Sequence, residues 1–343
     1  MDLDKLRKEI DDIDLEILRL IAKRFEIAVR TKRLKNDIQD QQREDSVKNN
    51  VKNNAKFLLR PEFCEKIFSQ IMEESRLIQN TTDRLVGFVG IHGNLAEMAL
   101  QNSSAISIPC DSYAEIFNAI KIGVLDAGII PIDRVIEDSA ENCLVEFLDS
   151  GLSICNQFET ESNYCLMTLP STDYRDIKIV YSHPNVLSHA QDFLLRTKLQ
   201  SAPLHSSAHA ALMLSSHKTQ SCAVIAPAEC AKIYNLAIVK DNILSKSFST
   251  SRYVEVSETT LQQGSSSAVY FEVCQTSGSL NNVLKIFTDR KINLTKIESL
   301  ATTDQTRAKF FVEFNLEGID STVEELLSAI SKASEYSRLL GIF

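Results

Sequence analysis

The sequence predicts a multidomain chain: an all-helical segment first, a longer α/β segment next, and a small βαββαβ tail. Three observations predict it. All ten glycines lie at or after Gly87, and Pro61 is the only proline before Pro109, so residues 1–80 read as helix-forming sequence rich in Leu, Ile, Lys, Glu and Arg. From Leu85 the texture changes to short β-rich runs (LVGFVG, AGIIPI, IKIVYS, SCAVIA) alternating with helical patterns such as YAEIFNAIKIG, the signature of α/β units. A polar break, ETTLQQGSSS at 258–267, then sets off the tail, as QNTTD at 79–83 ends the first segment. The expected domains are 1–80, 84–257 and 268–343.

Composition narrows the function classes. A length of 343 residues with 44% hydrophobic and 24% charged content leaves room for two or three packed cores. The first 80 residues hold 17 Lys and Arg against 16 Asp and Glu; the remaining 263 hold 20 against 30, which yields the net charge of −9. An acidic chain excludes a general nucleic-acid binder, because phosphate contacts need a basic face. No apolar run approaches the ~18 residues of a membrane span. The charged start MDLDKLRKEIDDID lacks the apolar stretch of a secretion signal. Eight cysteines without a C-x-x-C pair fit reduced thiols, so a cytoplasmic setting is expected.

In the first segment, Leu3, Leu6, Ile10, Ile13, Ile17, Leu20, Arg24, Ile27, Thr31 and Leu34 keep a 3-4 heptad spacing, which predicts one long helix with a coiled-coil-like seam. Such a helix of about 32 residues is ~48 Å long, too long to fold back on itself, so a partner chain is expected. Arg24 falls in the seam, where a bare guanidinium is costly to desolvate. A carboxylate partner or a bound anion belongs beside it. At ~100° per residue, Lys35 lies within ~20° of the Arg24 face, whereas Arg7 lies roughly 100° away and points into a different site. Asp40, Arg43 and Glu44 share one face of the next segment, and Ser75 and Gln79 share one face late in a third helix that starts at Pro61. Taken singly, Asp40 or Ser75 reads as solvated helix surface; Arg24 does not.

On LRKEID, IDLEILRLIAKR, AVRTKRLK, DQQRE and IMEESRLIQ in order, residues 1–80 resemble the all-helical chorismate mutase domain, in which three helices from each of two chains interlock. The connection after Lys35 is shorter than in that family. The chemistry suits the residue types. Chorismate becomes prephenate by a pericyclic rearrangement that needs neither nucleophile nor proton transfer. It needs cations to hold a dianion in a compact chair and a donor for the charge that develops on the ether oxygen. The resemblance implies that Arg24 and the partner subunit's Arg7 clamp the carboxylates. Lys35 and Gln79 then face the ether oxygen, Glu44 faces the ring hydroxyl, and Asp40, Arg43 and Ser75 complete the wall.

Residues 84–257 resemble a prephenate dehydratase domain, two α/β lobes like those of a periplasmic-type binding protein with a cleft between them. The scaffold runs DSYAEIFNAIKIGVLDAGIIPI, IKIVYSHPNVLSHAQDFL and CAVIAPAECAKIYNLAIVKDNI match it. Dehydration expels the ring hydroxyl as carbon dioxide departs, and calls for an acid near that oxygen and for donors to the carboxylates. The site motifs diverge from the family's. Its Gly-Pro-Glu/Lys-Gly-Thr/Ser-Phe/Tyr-Ser loop is Gly90-Ile91-His92-Gly93-Asn94-Leu95-Ala96 here, without the two hydroxyls. Its Pro-Ile-Glu-Asn is Pro131-Ile132-Asp133-Arg134, and the glutamine seven residues after Ser182 is His189. Its Thr-Arg-Phe is Ser251-Arg252-Tyr253. Two readings follow. In one, Ser251 donates the proton, Arg252 binds a carboxylate, and Asp133, Arg134, Ser182 and His189 line the substrate. In the other, the domain keeps its fold and has lost dehydration. His205 and His209 are spaced i, i+4, but no third ligand follows, so no metal and no cofactor is expected.

The tail reads strand, helix, strand, strand, helix, strand, a ferredoxin-like order. It resembles the ACT regulatory domain, whose dimers bind amino acids. The family's phenylalanine motifs Gly-Ala-Leu-Val and Glu-Ser-Arg-Pro are Gly278-Ser279-Leu280-Asn281 and Glu298-Ser299-Leu300-Ala301 here. The resemblance implies Gly278, Leu280, Glu298 and Ser299 as regulatory residues with phenylalanine as effector; dimerisation without a ligand is the other reading. The leading expectation is therefore a homodimer or higher homo-oligomer acting on chorismate and prephenate in phenylalanine biosynthesis, binding neither nucleic acid nor membrane. The alternative is a monofunctional mutase with a dehydratase-like and ACT sensor region. A pure binding protein conflicts with the full set of mutase residues.

Overall fold

The computed structural model describes residues 3–35, 40–101, 103–133, 136–137, 140–161, 163–170, 172–244, 250–259, 264–302, 304, 306–317 and 322–343. The chain forms two compact units, Met1–Arg84 with Ile122–Leu125, and Leu85–Lys121 with Asp126–Phe343.

The first unit holds three helices, α1 (Leu3–Lys32), α2 (Gln41–Asn54) and α3 (Pro61–Gln79). Local chemistry sets their ends. The Asp40 side chain caps α2 by accepting the Arg43 amide at 2.9 Å, and Pro61 opens α3 where its missing N–H costs nothing. Helix α1 stops two residues short of the expected Leu34. Its exit tightens into i→i+3 bonds, from the amides of Arg33, Leu34 and Lys35 to the carbonyls of Arg30, Thr31 and Lys32. Helix α3 packs on both α1 and α2. The seam residues Leu3, Leu6, Ile10, Ile13, Ile17 and Leu20 are all exposed, and Val29 is the one buried side chain of α1 among the described residues.

The second unit opens with β1 (Leu85–Val89), α4 (Leu95–Met98), β2 (Ile106–Cys110), α5 (Tyr113–Lys121), β3 (Ala127–Pro131), α6 (Ala140–Ser150) and β4 (Ser153–Glu161). A second lobe follows: β5 (Tyr164–Thr168), β6 (Ile179–Ser182), α7 (Pro184–His189), α8 (Gln191–Thr197), β7 (Gln200–Pro203), α9 (Ser207–His217), β8 (Cys222–Pro227), α10 (Glu229–Ile233) and β9 (Ala237–Lys240). Strand β10 (Thr250–Ser257) returns to the first lobe. The tail is β11 (Ser266–Cys274), α11 (Ser279–Asp289), β12 (Leu294–Leu300), β13 (Arg307–Asn315), α12 (Val323–Ala333) and β14 (Tyr336–Ile342).

Three sheets result, ordered β2-β1-β3-β10-β4, β7-β6-β8-β5-β9 and β12-β13-β11-β14. In the first, β1 runs parallel to β2 and β3 while β10 runs antiparallel to β3 and β4. Phe88, Ile129 and Tyr253 of the first sheet share one apolar cluster with Leu166, Val180 and Ile225 of the second. Strands β3, β5 and β8 are buried along their whole length, as expected of strands covered on both faces. In the tail, Val269, Phe271, Val312 and Phe314 pack against Val283, Phe287, Leu326 and Ile330 of the two helices. The opposite face of that sheet lies on the first lobe. At Gly341 of β14 a Cβ would collide with the carbonyl oxygen of Ile154 in β4, so glycine alone allows this approach. All eight cysteines are free. Among the described residues no helix is long and apolar enough to cross a membrane.

Candidate functional site

In the helical unit the predicted residues gather unequally. Arg24 on α1 is half-buried, and its Nη1 donates to the Ser75 Oγ of α3 at 2.7 Å, with Ser75 itself buried. Burial first, then the neighbouring Arg43 of α2, lowers the Arg24 pKa. Among the described residues no carboxylate pairs with this guanidinium. Gln79 lies on the same wall, its Nε2 donating to the Ala28 carbonyl at 2.6 Å. Glu44 instead turns to Arg76 at 2.8 Å, a partner that sequence reasoning missed. Lys35 departs from expectation: α1 ends before it, so helical geometry does not carry it along the Arg24 face, and its Nζ meets Asp40 at 3.9 Å near the surface. Arg7 is exposed beside Asp4. Seventeen residues of helix put it ~26 Å along the axis from Arg24, beyond reach within one chain.

In the second unit the Gly-rich turn after β1 is built around a carboxylate. Gly90 and Gly93 take φ of 112° and 88°, which glycine alone adopts readily. Asn94 caps α4 by accepting the Glu97 amide at 3.0 Å. Glu97 accepts the Gly93 amide at 2.7 Å and the Ser107 hydroxyl at 2.8 Å, and pairs with His92 at 2.6 Å. Burial pushes the Glu97 carboxyl up, but these contacts outweigh it and hold the pKa below the ordinary value. The turn reaches the second lobe, where Tyr234 donates its hydroxyl to the His92 carbonyl at 2.6 Å. Glu137, in the segment after β3, also crosses between lobes. It accepts the Tyr164 hydroxyl at 2.8 Å, the Ser207 amide at 2.9 Å and the Ser207 hydroxyl. Sequence reading missed both carboxylates. The Asn94-x-x-Glu97 spacing of a helix start was the available signal for one; none existed for Glu137. A hollow of about 610 Å³ lies between α4–β2 and α10–β9, lined by Glu97, Ser107, Glu229, Lys232 and Ile233, none of them an expected site residue.

The expected dehydratase residues divide between two faces. Ser251 is buried on β10 and shares a strand face with Tyr253, which lies in the core between the two sheets. Arg252 therefore points the other way, toward the tail, which corrects its expected role as a substrate clamp beside Ser251. All three of its nitrogens are occupied: Nε by Asp133 at 2.6 Å, Nη1 and Nη2 by Glu313 of β13 at 2.5 and 2.8 Å. Asp133 also accepts Lys296 of β12 at 2.9 Å. Burial would raise the Asp133 carboxyl, but Arg252 and Lys296 hold it below its ordinary value. Asp133 is thus committed to the tail as well. Ser182 is fully buried and gives its hydroxyl to the Ile225 carbonyl at 2.5 Å. His189 is exposed at the end of α7. Arg134 lies outside the described residues. The rings of His205 and His209 stand 4.1 Å apart, and the described residues offer no cluster of three metal-ligating side chains.

In the tail, Gly278 caps α11 with φ 90° and open space around it, and Leu280 packs against the core. Register places Glu298 opposite Phe311 and Ser299 opposite Phe310, so the two expected effector residues face opposite sides of the sheet. Glu298 pairs with Lys296 at 2.9 Å on the side turned to the first lobe, and Ser299 is exposed.

Residues 6–80 match the family model of chorismate mutase type II, and residues 86–260 match that of prephenate dehydratase. The chain is 25% identical to the bifunctional chorismate mutase/prephenate dehydratase of Buchnera aphidicola subsp. Schizaphis graminum, across 100% of this chain and 96% of that protein. It is 23% identical to arogenate dehydratase/prephenate dehydratase 2 of Arabidopsis thaliana, across 78% and 74%. Among solved structures, the prephenate dehydratase of Arthrobacter aurescens in complex with L-Phe has the same fold. Its TM-score is 0.69 at 22% identity, over 75% of this chain and 88% of that one.

Proposed function

We infer a bifunctional enzyme of phenylalanine biosynthesis from a chain that belongs to the prephenate dehydratase family and carries a chorismate mutase type II domain ahead of it. It is an isomerase and a lyase in one polypeptide: chorismate rearranges to prephenate, and prephenate loses water and carbon dioxide to give phenylpyruvate. End-to-end similarity to a bifunctional relative favours two activities over a mutase with a silent C-terminal region.

The observation that carries the mutase half is Arg24, a half-buried cation that donates to a buried serine hydroxyl and has no carboxylate partner among the described residues. Its guanidinium holds one substrate carboxylate in a fork, with Ser75 fixing its direction. Gln79, anchored to Ala28, supplies the neutral donor at the ether oxygen together with Lys35, and Glu44 takes the ring hydroxyl while Arg76 steadies it. Asp40 and Arg43 close the wall. The second carboxylate falls to the partner subunit's Arg7. The exposed seam of α1 and the axial distance of Arg7 support an interlocked homodimer.

In the dehydratase, the C–O bond to the ring hydroxyl breaks as the ring carboxylate leaves as carbon dioxide, and the departing oxygen takes a proton. Ser251, buried on the core face of β10, supplies that donor. Ser182, His189 and Arg134 line the substrate. Arg252 and Asp133, paired with the tail, are not among its carboxylate ligands. We assign the ferredoxin-like tail as an ACT domain with phenylalanine as effector near Gly278, Leu280, Glu298 and Ser299. We read three functional domains, 1–80, 84–257 and 268–343, the last two within one compact unit, in a cytoplasmic enzyme.

Prephenate supplied in place of chorismate tests the lyase half. Phenylpyruvate and carbon dioxide are expected in equal amounts, at a rate that L-phenylalanine changes. No carbon dioxide release above the buffer control would refute it.

A further inference from the structure

The tail meets the first lobe through a chain of charges rather than through apolar packing alone. Glu313 of β13 has a side chain only 2% exposed, yet it carries a carboxylate matched oxygen for nitrogen to Arg252 of β10. Opposite it in register, Lys296 of β12 donates to the Ile132 carbonyl and to Asp133, and pairs with Glu298. Residues Glu298, Lys296, Asp133, Arg252 and Glu313 are thus continuous.

Both of their anchor points in the first lobe lie at strand ends, Arg252 near the start of β10 and Asp133 two residues past β3. Arg252 is next to Ser251, and its carbonyl accepts the Ile132 amide at 3.1 Å, which ties β10 to the exit of β3. Because side chains alternate along a strand, Arg252 faces the tail and Ser251 lies on the opposite, buried face of β10. A buried ion pair contributes little net stability compared with apolar residues of the same shape, so stability alone does not account for this one.

We infer that Glu313 and Lys296, residues of the tail, are positioning residues for dehydration, acting through Arg252 and the Ile132–Asp133 segment on the Ser251 end of the cleft. The inference rests on the reading of the cleft as a prephenate dehydratase with Ser251 as donor. The tail is then part of the dehydratase's working geometry even without an effector.

The test uses the full chain with Glu313→Gln, which keeps the shape and removes the charge. Phenylpyruvate formation from prephenate is measured over a substrate series, and chorismate loss is measured on the same preparation. Misplacing a reacting group by ~1 Å costs on the order of 10- to 100-fold, so the dehydratase kcat should fall by that factor. KM for prephenate should stay within about twofold, because no substrate contact is removed. Chorismate turnover should be unchanged. Lys296→Met, at a more exposed position, should shift kcat in the same direction and serves if Glu313→Gln does not fold. Wild-type kcat in the variants would overturn the inference. So would a rise in KM alone, which would return Arg252 to substrate binding, and so would parallel loss of the mutase, which would mean general unfolding. A wild-type chain that forms no phenylpyruvate refutes the dehydratase reading itself and removes the inference with it.

Discussion

Replacing Arg24 by alanine separates a functional charge from a structural one. The side chain is half-buried, its one hydrogen bond among the described residues goes to Ser75 at 2.7 Å, and burial and Arg43 both disfavour its charge. Removing it relieves those two penalties and loses one hydrogen bond of about 1 kcal/mol. The opposing effects leave stability within ~1 kcal/mol of wild type. Activity has no such compensation. Deleting one partner of a desolvated charge pair costs about 2–5 kcal/mol, or roughly 30- to 5000-fold in kcat/KM. Arg24→Lys keeps the charge but loses the planar fork, so it should fall between the two. The assay is loss of chorismate absorbance, with far-ultraviolet circular dichroism and a denaturant midpoint on the same samples. Turnover within about threefold of wild type in Arg24→Ala, with the helices intact, would refute the placement of the anion site.

Mixing inactive Arg7→Ala and Arg24→Ala chains should restore part of the mutase activity, because one site of a mixed dimer is complete; no recovery after demonstrated subunit exchange would count against an interlocked dimer. Arg252→Met alone leaves the Glu313 carboxylate buried and unpaired and should cost about 3–5 kcal/mol, whereas Arg252→Met with Glu313→Met should recover most of it; equal costs in chemical denaturation would refute the pairing. The Glu97 carboxyl is held below its unfolded pKa, so it stabilises the fold above that value and loses this contribution as pH falls through the folded one. Glu97→Gln should therefore flatten the fall in stability below about pH 4.5, and an unchanged acid limb would contradict the contact set.

Much of the architecture was legible because it follows period and punctuation. The heptads pointed to the first helix and Pro61 to the start of the third, with Arg24 and Ser75 meeting on these two. In the tail every strand and helix falls where alternation and helical spacing place it. Lys35 leaves the helical face of Arg24 because a helical wheel assumes that the helix continues; tight i→i+3 turns end it at Lys32, and the chain beyond carries Lys35 instead. Arg252 was misjudged because a motif read as a string hides strand alternation: adjacent residues of β10 cannot both face the cleft. Glu313 and Lys296 were invisible for a different reason. Their partners lie 61 and 163 residues away in sequence, and pairing across sheets leaves no local pattern.

The most direct measurement gives the purified full chain chorismate alone and follows chorismate loss and phenylpyruvate formation in the same reaction. The account predicts both, with prephenate rising first and then being consumed. Prephenate that accumulates without phenylpyruvate would contradict the dehydratase assignment, and undiminished chorismate would contradict the mutase.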